Sequence, residues 1–333
     1  MTTHSTRPTL HRRQLLGALA ALSLGGAPLL GHAQAAFPQR PITLVVPFAP
    51  GGVADITART VSQAMAASLG QPIVIDNKPG AGGIVATQAV LKAPADGHTL
   101  LLMSNATAVS VHLVKKLPFD VVKDIAPIST LGYFELGLAV ASESRFKTLK
   151  EVVAYAKANP GKLTIGTIAV GSTQHLSAEL FKSRAGIEAV VVPYKGSPAV
   201  VNALRAGEID LAFEILSPLL PQISGKVVRA LAVTGPQRFA LLPDVPTVME
   251  QGIANYTVDS WNALAAPAGT PPAVIERLRR AAQEAVALPA VRDKLRDLGV
   301  KAQASTPGEQ AALLASEIKH WGEVVKAAKI EAE

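Results

Sequence analysis

One stretch near the start of the chain, residues 44–70, limits the possible folds more than any other. The apolar residues at 42–46 predict a buried strand, and the sequence Phe-Ala-Pro-Gly-Gly at 48–52 predicts a tight turn. Apolar residues then recur at helical spacing up to Leu69, and Gly70 supplies a stop signal. A strand that turns directly into a helix is the repeating unit of an α/β fold.

The turn at 48–52 has the chemistry of an anion-binding site. The first N–H groups of a helix have no intrahelical partner, and the helix dipole makes that end positive. Gly51 and Gly52 carry no Cβ, so a ligand can approach the backbone closely. The sequence leaves two interpretations open, which are a site for an anion and a structural turn without a ligand.

Residues 1–35 have the pattern of an export signal. Three arginines and no acid precede an apolar run, and the Ala-Gln-Ala sequence that ends at Ala35 predicts cleavage after that residue. The adjacent Arg12 and Arg13 favour the twin-arginine route slightly over general secretion. An uncleaved anchor is disfavoured because the apolar run is short for a membrane span. The mature protein is therefore expected to be exported to the periplasm and soluble.

Composition excludes several classes of function. The 333 residues are 49% hydrophobic and 17% charged, which suits about two globular domains. The net charge of +7 falls to +4 without the three signal arginines, and the other basic residues are scattered, so nucleic acid is not expected as a partner. The absence of cysteine excludes disulfides, thiol nucleophiles and Cys-ligated metals. The glycines at 80–83 lack the third glycine of a dinucleotide fingerprint, so no cofactor is predicted.

The strand-turn-helix unit recurs along the chain. A second alternating series begins at Leu136, and Ser172 or Thr173, as well as Ser197, are predicted to cap helices in it. Capping boxes predict further helix starts at Thr148 and Thr306. Alternation of this kind predicts parallel sheets whose ligands lie beyond the carboxyl ends of the strands. The other predicted strands are 73–76, 99–103, 163–167, 189–192, 209–213, 228–233 and an extended segment at 258–265.

Many motifs of the chain, in order and at compatible spacing, resemble the substrate-binding proteins of tripartite tricarboxylate transporters, the Bug family of periplasmic receptors. The resemblance covers almost the whole mature chain. Its motifs include PITLVVPFAPGGVAD (41–55), GQPIVIDNKPGAGG (70–83), LPFDVVKDIAPIS (117–129), GSTQHLSAELFK (171–182), VPYKGS (192–197) and LPDVPTVMEQG (242–252).

The resemblance implies an α/β, two-lobe periplasmic-binding-protein fold of the type II-like kind, with parallel-rich sheets flanked by helices and a ligand cleft between the lobes. The first lobe would comprise 36–137 and 258–333, and the second 138–257. The protein is expected to be a monomer.

The resemblance also implies that a carboxylate is clamped between two turns by backbone N–H groups, hydroxyls and water. The implied first-lobe contacts are Phe48, Ala49, Gly51, Gly52, Ala54, Asp55, Ser104 and Asn105. The implied second-lobe contacts are Thr167, Gly171, Ser172, Thr173, His175, Tyr194 and Lys195.

Four of these side chains also have a simpler interpretation. Asp55 fits better as a partner of the helix dipole than as a ligand contact. His175 and Tyr194 could serve packing alone, and Lys195 could be solvated. No metal site and no catalytic residue is predicted.

Glu214 is a further candidate because it follows a predicted strand. An ionised carboxylate that faces a cleft beside an anionic ligand is unfavourable unless a donor lies between them, so a ligand with a hydroxyl or amine is one hypothesis. The alternative is a side chain that points to solvent.

The function predicted from this resemblance is capture of a small organic anion and its delivery to membrane transporter subunits. Dicarboxylates, tricarboxylates, amino acids and aromatic acids are the candidate ligands. A sensor that presents the bound form to a signalling receptor is an alternative, since it needs the same closed shape. An exported carboxylate-processing enzyme is disfavoured because the motifs of serine hydrolases and zinc proteases are absent.

Overall fold

The computed structural model describes residues 1–2, 4 and 37–332. Most of the predicted export signal, with its cleavage site after Ala35, lies outside the described residues. One compact unit runs over Pro38–Glu333 and contains every described strand and helix. Within the described part of the chain, no helix combines the length and the apolar character needed to cross a membrane.

Strands and helices alternate along most of this unit. The strands are β1 (Ile42–Val46), β2 (Ile73–Asn77), β3 (Thr99–Ser104), β4 (Ile125–Ala141), β5 (Leu163–Ile168), β6 (Ala189–Tyr194), β7 (Leu211–Ile215), β8 (Val228–Val233), β9 (Asp259–Pro267) and β10 (Val300–Ala302). The α-helices are α1 (Val53–Leu69), α2 (Ile84–Leu91), α3 (Asn105–Leu113), α4 (Leu149–Ala158), α5 (Thr173–Ala185), α6 (Ser197–Ala206), α7 (Leu216–Ser224), α8 (Pro272–Ala287), α9 (Pro289–Asp297) and α10 (Pro307–Ala327).

The strands form one mixed sheet in the order β2-β1-β3-β9-β4-β7-β5-β6, and β8 and β10 also pair with β4. Strand β4 is 17 residues long and pairs with strands on both sides of this sheet. Its first part, up to Glu135, pairs with β9 and β10, whereas the part from Leu136 pairs with β7 and β8. We call the strands on the β1 side of this change of partner the first sheet region and those on the β5 side the second sheet region.

Parallel pairing places the candidate residues at strand ends. Strand β1 pairs in parallel with β2 and β3, and β5 pairs in parallel with β6 and β7. The carboxyl ends of parallel neighbours meet at one edge. Ser104 therefore lies at the same edge of the first sheet region as the turn after β1. Ile168 and Tyr194 are paired residues at the corresponding edge of the second sheet region, where β7 ends near Glu214.

Several local predictions are confirmed. The capping boxes at Thr148 and Thr306 both form, and the side chain of Ser172 accepts a hydrogen bond from the N–H of His175 and so caps α5. The prediction for Ser197 is wrong by one residue, because the N-cap of α6 is Gly196 and Ser197 is the first helical residue.

The core residues of each sheet region come from distant parts of the chain. Phe181, Phe213 and Trp321 belong to a core cluster on the second sheet region, whereas Met103 and Trp261 belong to one on the first. Helix α3 contributes Val109 to the former and Ala108 to the latter. Because α3 begins at the end of β3, this packing fixes where the residues after β3 lie.

Candidate carboxylate-binding site

The turn after β1 presents an uncapped helix end. Ala49, Gly51 and Gly52 are exposed, and Phe48 is half-buried. Gly51 adopts a φ of +84°, a conformation that side chains with a Cβ rarely take. Gly52 is the N-cap of α1 and no side chain caps this end, so the N–H groups of the first turn remain available to a ligand. Ala54, in that turn, is 8% exposed.

Asp55 holds this turn together from within. Its carboxylate accepts hydrogen bonds from the Gly51 N–H at 2.9 Å, from Asn77 Nδ2 at 2.9 Å and from Arg59 Nε at 3.0 Å. Asn77 Nδ2 also donates to the carbonyl of Phe48 at 2.9 Å. Asp55 is 2% exposed. Its oxygens are thus committed to the protein, as expected for a residue that organises the turn.

The electrostatics of Asp55 fit this role. Burial raises the pKa of the carboxyl, but the hydrogen bonds from Arg59, Gly51 and Asn77 outweigh burial and leave the pKa below its ordinary value. Asp55 is therefore ionised at neutral pH, and its charge lies in the first turn of α1, where the helix dipole favours an anion.

Ser104 and Asn105 follow β3 at the same edge. The Ser104 hydroxyl accepts from the N–H of Ala106 at 3.3 Å and so caps α3. Asn105 is fully buried, and its Nδ2 donates to the carbonyl of Asp259 at 3.1 Å. Its Oδ1 has no hydrogen-bond partner among the described residues, so a ligand or water could supply one.

The turn after β5 resembles the first turn but is anchored differently. Gly171 has a φ of +79°, and its N–H donates to Nδ1 of His175 over a long 3.5 Å. The Ser172 hydroxyl donates to the carbonyl of Ile168 at 3.2 Å. Thr167 is fully buried and donates to that same carbonyl at 3.0 Å, and Thr173 is 8% exposed. The hydroxyls of Thr167 and Ser172 thus mainly stabilise the turn itself.

His175 is a buried, neutral side chain. Burial lowers its pKa, although the charge of Glu179 partly opposes this effect. The neighbouring Lys182 lowers the pKa further. Because Nδ1 accepts from Gly171, the proton of the neutral ring is assigned to Nε2. His175 therefore stabilises the turn and offers one donor.

The remaining candidates lie at the ends of β6 and β7. Tyr194 is half-buried, and Lys195 is exposed and makes no ion pair among the described residues. Glu214 is 0% exposed, so the alternative in which it points to solvent is wrong. Its Oε1 accepts from Gln174 Nε2 at 2.7 Å, which joins the end of β7 to the first turn of α5.

Helix α3 connects the two sets of residues. It begins after Ser104, and its nine residues span about 14 Å at the usual rise per residue. At its other end, Leu113 lies against the turn after β5, because a Cβ placed on Gly171 would come 2.5 Å from Leu113 Cδ1. One short helix therefore connects Ser104 to the side chain of Leu113, which contacts the turn at Gly171.

We expect replacement of Gly171 by alanine to lower the free energy of unfolding by about 1–2 kcal/mol and to weaken carboxylate binding. The positive φ is unfavourable for a residue with a Cβ, and the added methyl would also press on Leu113. Denaturant unfolding measures the first effect and isothermal titration the second.

The double variant Gly171→Ala with Leu113→Ala is the matched control. It removes the steric contact but keeps the strained backbone, so its binding defect should remain. Full recovery of binding in the double variant would contradict the backbone argument.

Sequence reasoning missed four residues of this site. Arg59 and Asn77 anchor Asp55, and Gln174 and Ser197 face Glu214. Gln174 and Ser197 lie in first helical turns, which is a signal that could have singled them out. Arg59 stands four residues after Asp55 on α1, a spacing typical of helical ion pairs. Asn77 carried no such signal.

A cavity of about 650 Å³ lies apart from these turns, and none of the candidate residues lines it. Glu135 lines it, and burial together with the nearby charge of Asp259 raises the pKa of Glu135 to about 7. Within the described residues, no group of three or more His, Cys, Asp or Glu side chains could hold a metal ion.

The comparison with protein families decides the class of this protein. Residues 57–330 match the sequence model of the tripartite tricarboxylate transporter family receptor. The chain belongs to this receptor family. Its receptors are periplasmic substrate-binding proteins rather than enzymes.

Individual relatives agree with the assignment. This receptor is 38% identical over 293 residues to Protein BugT of Bordetella pertussis, a match that covers 87% of this chain and 90% of BugT. The predicted relation to the Bug family is thereby confirmed.

Solved structures of similar proteins include two from Rhodopseudomonas palustris. Rpa4515, solved with adipate, is 32% identical with a TM-score of 0.82, and the match covers 89% of this receptor and all of that chain. MatC, solved with malate, is 33% identical with a TM-score of 0.76, and the match covers 87% of this receptor and all of MatC. The predicted periplasmic-binding-protein fold class is confirmed by these similarities.

Proposed function

We propose that this receptor captures a small carboxylate between the turn after β1 and the turns after β5 and β6, and delivers it to a tripartite tricarboxylate-type membrane transporter. The observation that carries the proposal is the uncapped N-terminus of α1, where exposed glycines precede N–H groups that lack a side-chain cap. The similar proteins solved with adipate and with malate support a dicarboxylate as the ligand class.

A division into two lobes would allow capture by closure. We propose a first lobe of 36–137 and 258–333 and a second of 138–257. The change of partners along β4 between Glu135 and Leu136 supports this boundary, because the strand there leaves β9 and β10 and joins β7 and β8. A ligand favours the closed form only through contacts that are better in that form than in the open one.

Export is the other part of the proposal. The arginines, apolar run and Ala-Gln-Ala sequence at the start of the chain support removal of residues 1–35 and a mature protein that begins at Ala36. Mass spectrometry of protein recovered from the periplasm of a producing strain would test the cleavage site. A mass that corresponds to a first residue other than Ala36 would contradict it.

We expect a dicarboxylate to raise the melting temperature of the mature protein after it has been unfolded and refolded to remove bound ligand. A ligand present at 100 times its dissociation constant adds about 2.7 kcal/mol, which corresponds to roughly 4 °C at this size. Differential scanning fluorimetry with adipate, malate, citrate, aspartate, nicotinate and terephthalate would measure the shift.

Dimethyl adipate is the matched control for this experiment, because it keeps the carbon chain and removes both charges. It should produce no shift if helix N-termini hold the carboxylates. An equal shift with the ester, or no shift with any acid, would contradict the proposed function. Loss of uptake of the active acid after deletion of the gene would then test delivery to a transporter.

A further inference from the structure

Glu214 is a fully buried carboxyl group at the carboxyl end of β7. Its neighbours are the first turns of two helices, since Gln174 is the second residue of α5 and Ser197 the first residue of α6. The group therefore lies beneath the helix ends that the proposed function assigns to the ligand.

The two oxygens of Glu214 are in different situations. Oε1 accepts from Gln174 Nε2 at 2.7 Å and from the N–H of Ile215 at 2.8 Å. Oε2 is buried and has no hydrogen bond of ordinary length to any described residue. The Ser197 hydroxyl faces the carboxyl and lowers its pKa, but it does not provide Oε2 with such a bond. A buried polar oxygen without a partner is costly, so an additional group at Oε2 would stabilise the site.

Among the described residues, no cation compensates the charge of an ionised Glu214. The elements packed against β7 are β4, β5, α5, α6 and α7. Among the described residues on them, α5 offers the neutral Gln174 and α6 the neutral Ser197, and no charged side chain affects the pKa of Glu214. His175, the next residue on α5, is itself kept neutral by burial. Burial raises the pKa of Glu214 more than the three hydrogen bonds lower it.

A bound carboxylate would oppose ionisation of Glu214 still more, because two carboxyl groups in one site can both be ionised only at a large cost in free energy. A protonated Glu214, in contrast, has an O–H group on the oxygen that lacks a partner. A neutral acid that donates to a carboxylate forms a strong, charge-assisted hydrogen bond.

We propose that Glu214 is a specificity-determining residue of the candidate site, which carries a proton when the site is occupied and donates a hydrogen bond from Oε2 to a carboxylate of the ligand. This inference rests on the proposed function. When Glu214 is ionised in the free protein, binding takes one proton from the solvent, and no other bond is made or broken. The ligand then needs no hydroxyl or amine, in contrast to the hypothesis based on an ionised Glu214.

Coupling to one proton predicts a defined dependence on pH. Above the pKa of Glu214 in the free protein, the dissociation constant for adipate should rise by up to about tenfold per pH unit. Glu214→Gln places an amide NH₂ at the position of the O–H group, so it should bind adipate with little change between about pH 6.5 and 9, where both ligand carboxylates are ionised.

Isothermal titration of adipate and of malate into the wild type and Glu214→Gln across this pH range would test the proposal. Titration in buffers with different ionisation enthalpies would count the protons taken up. Glu188→Gln is the matched control, because Glu188 is exposed and lies before β6, at the opposite end of that strand from the candidate site. It should keep the wild-type pH profile. Circular dichroism would show that each variant is folded.

The possible outcomes separate the proposals. A pH-dependent wild type with a flat Glu214→Gln profile would support proton coupling. A flat wild-type profile, an equal slope in both proteins, or a selective loss of malate in Glu214→Gln would overturn it and leave the proposed function standing. The absence of binding by the wild type to any acid of the panel would overturn the proposed function and this inference together.

Discussion

Replacing Asp55 by alanine is expected to weaken carboxylate binding at least tenfold, which corresponds to about 1.4 kcal/mol, and to lower the free energy of unfolding by about 1–3 kcal/mol. The substitution removes the acceptor for the Gly51 N–H, for Asn77 and for Arg59. The turn that presents the N–H groups of α1 then loses its internal anchor. Titration with the active acid and denaturant unfolding would measure the two effects.

The pH dependence of this effect has a definite sign. The pKa of Asp55 is lower in the folded protein than in the unfolded chain, so its contribution to stability is present above the unfolded value of about 3.9. That contribution is lost as the pH falls through the lower, folded value. Asp55→Asn should therefore lose less stability than the wild type when the pH is lowered below about 4.

Asp244→Asn is the control, because Asp244 is exposed and its carboxyl makes no ion pair among the described residues. Its acid sensitivity should equal that of the wild type. Unchanged ligand affinity in Asp55→Ala would contradict the role of the anchored turn, even if the protein became less stable.

Replacing Phe181 by alanine is expected to cost about 3–5 kcal/mol of unfolding free energy while leaving ligand affinity nearly unchanged. Phe181 is fully buried, with ring centroids 5.3 Å from Phe213 and 6.2 Å from Tyr256. The three rings make tilted and edge-on contacts, which add to the stabilisation from burial. The melting temperature should fall by roughly 5–8 °C.

Phe181→Leu is the matched variant, since it keeps a large apolar side chain and should cost much less than the alanine variant. The Tyr256 hydroxyl donates to the carbonyl of Ser177 at 2.9 Å and keeps its ring in place in both variants. A loss below about 1 kcal/mol in Phe181→Ala would show that the core can close around the missing ring.

The strand-helix alternation could be predicted because its signals are local. Capping boxes, and apolar runs with turn residues beside them, act within a few residues. Helices α4 and α10 and strands β1, β3 and β5 formed where they were expected. Strand β4 was predicted to begin at Leu136 but begins at Ile125. Its pairing with β9 shifts register twice, and each shift disrupts the alternation of inward and outward side chains that reveals a strand.

Helices α3 and α7 and strand β10 were not predicted. The sequence of α3 is short and rich in residues that also suit strands, and α7 contains an internal proline. Both helices are held by packing, because Val109 and Leu219 are buried in cores formed by distant segments. Three residues of β10 are too few for a periodic pattern.

The turns of the candidate site could be located from the sequence, but the partners of their side chains could not. Asp55 was interpreted as a partner of the helix dipole, whereas its hydrogen bond to Asn77 depends on the pairing of β1 with β2. Glu214 could have faced either way. Its burial depends on where β5 places α5, which is a property of the assembled sheet.

The position of β9 sets the order in which this chain can fold. Because β9 lies between β3 and β4, a chain that has emerged only as far as Ala141 has both neighbours but lacks the strand that joins them. Residues 259–267 must arrive before the first sheet region can close. Such distant pairings slow folding, so the first sheet region stays open until residues 259–267 have been made. A chain that ends before residue 259 should therefore be degraded and should not persist as a stable fragment.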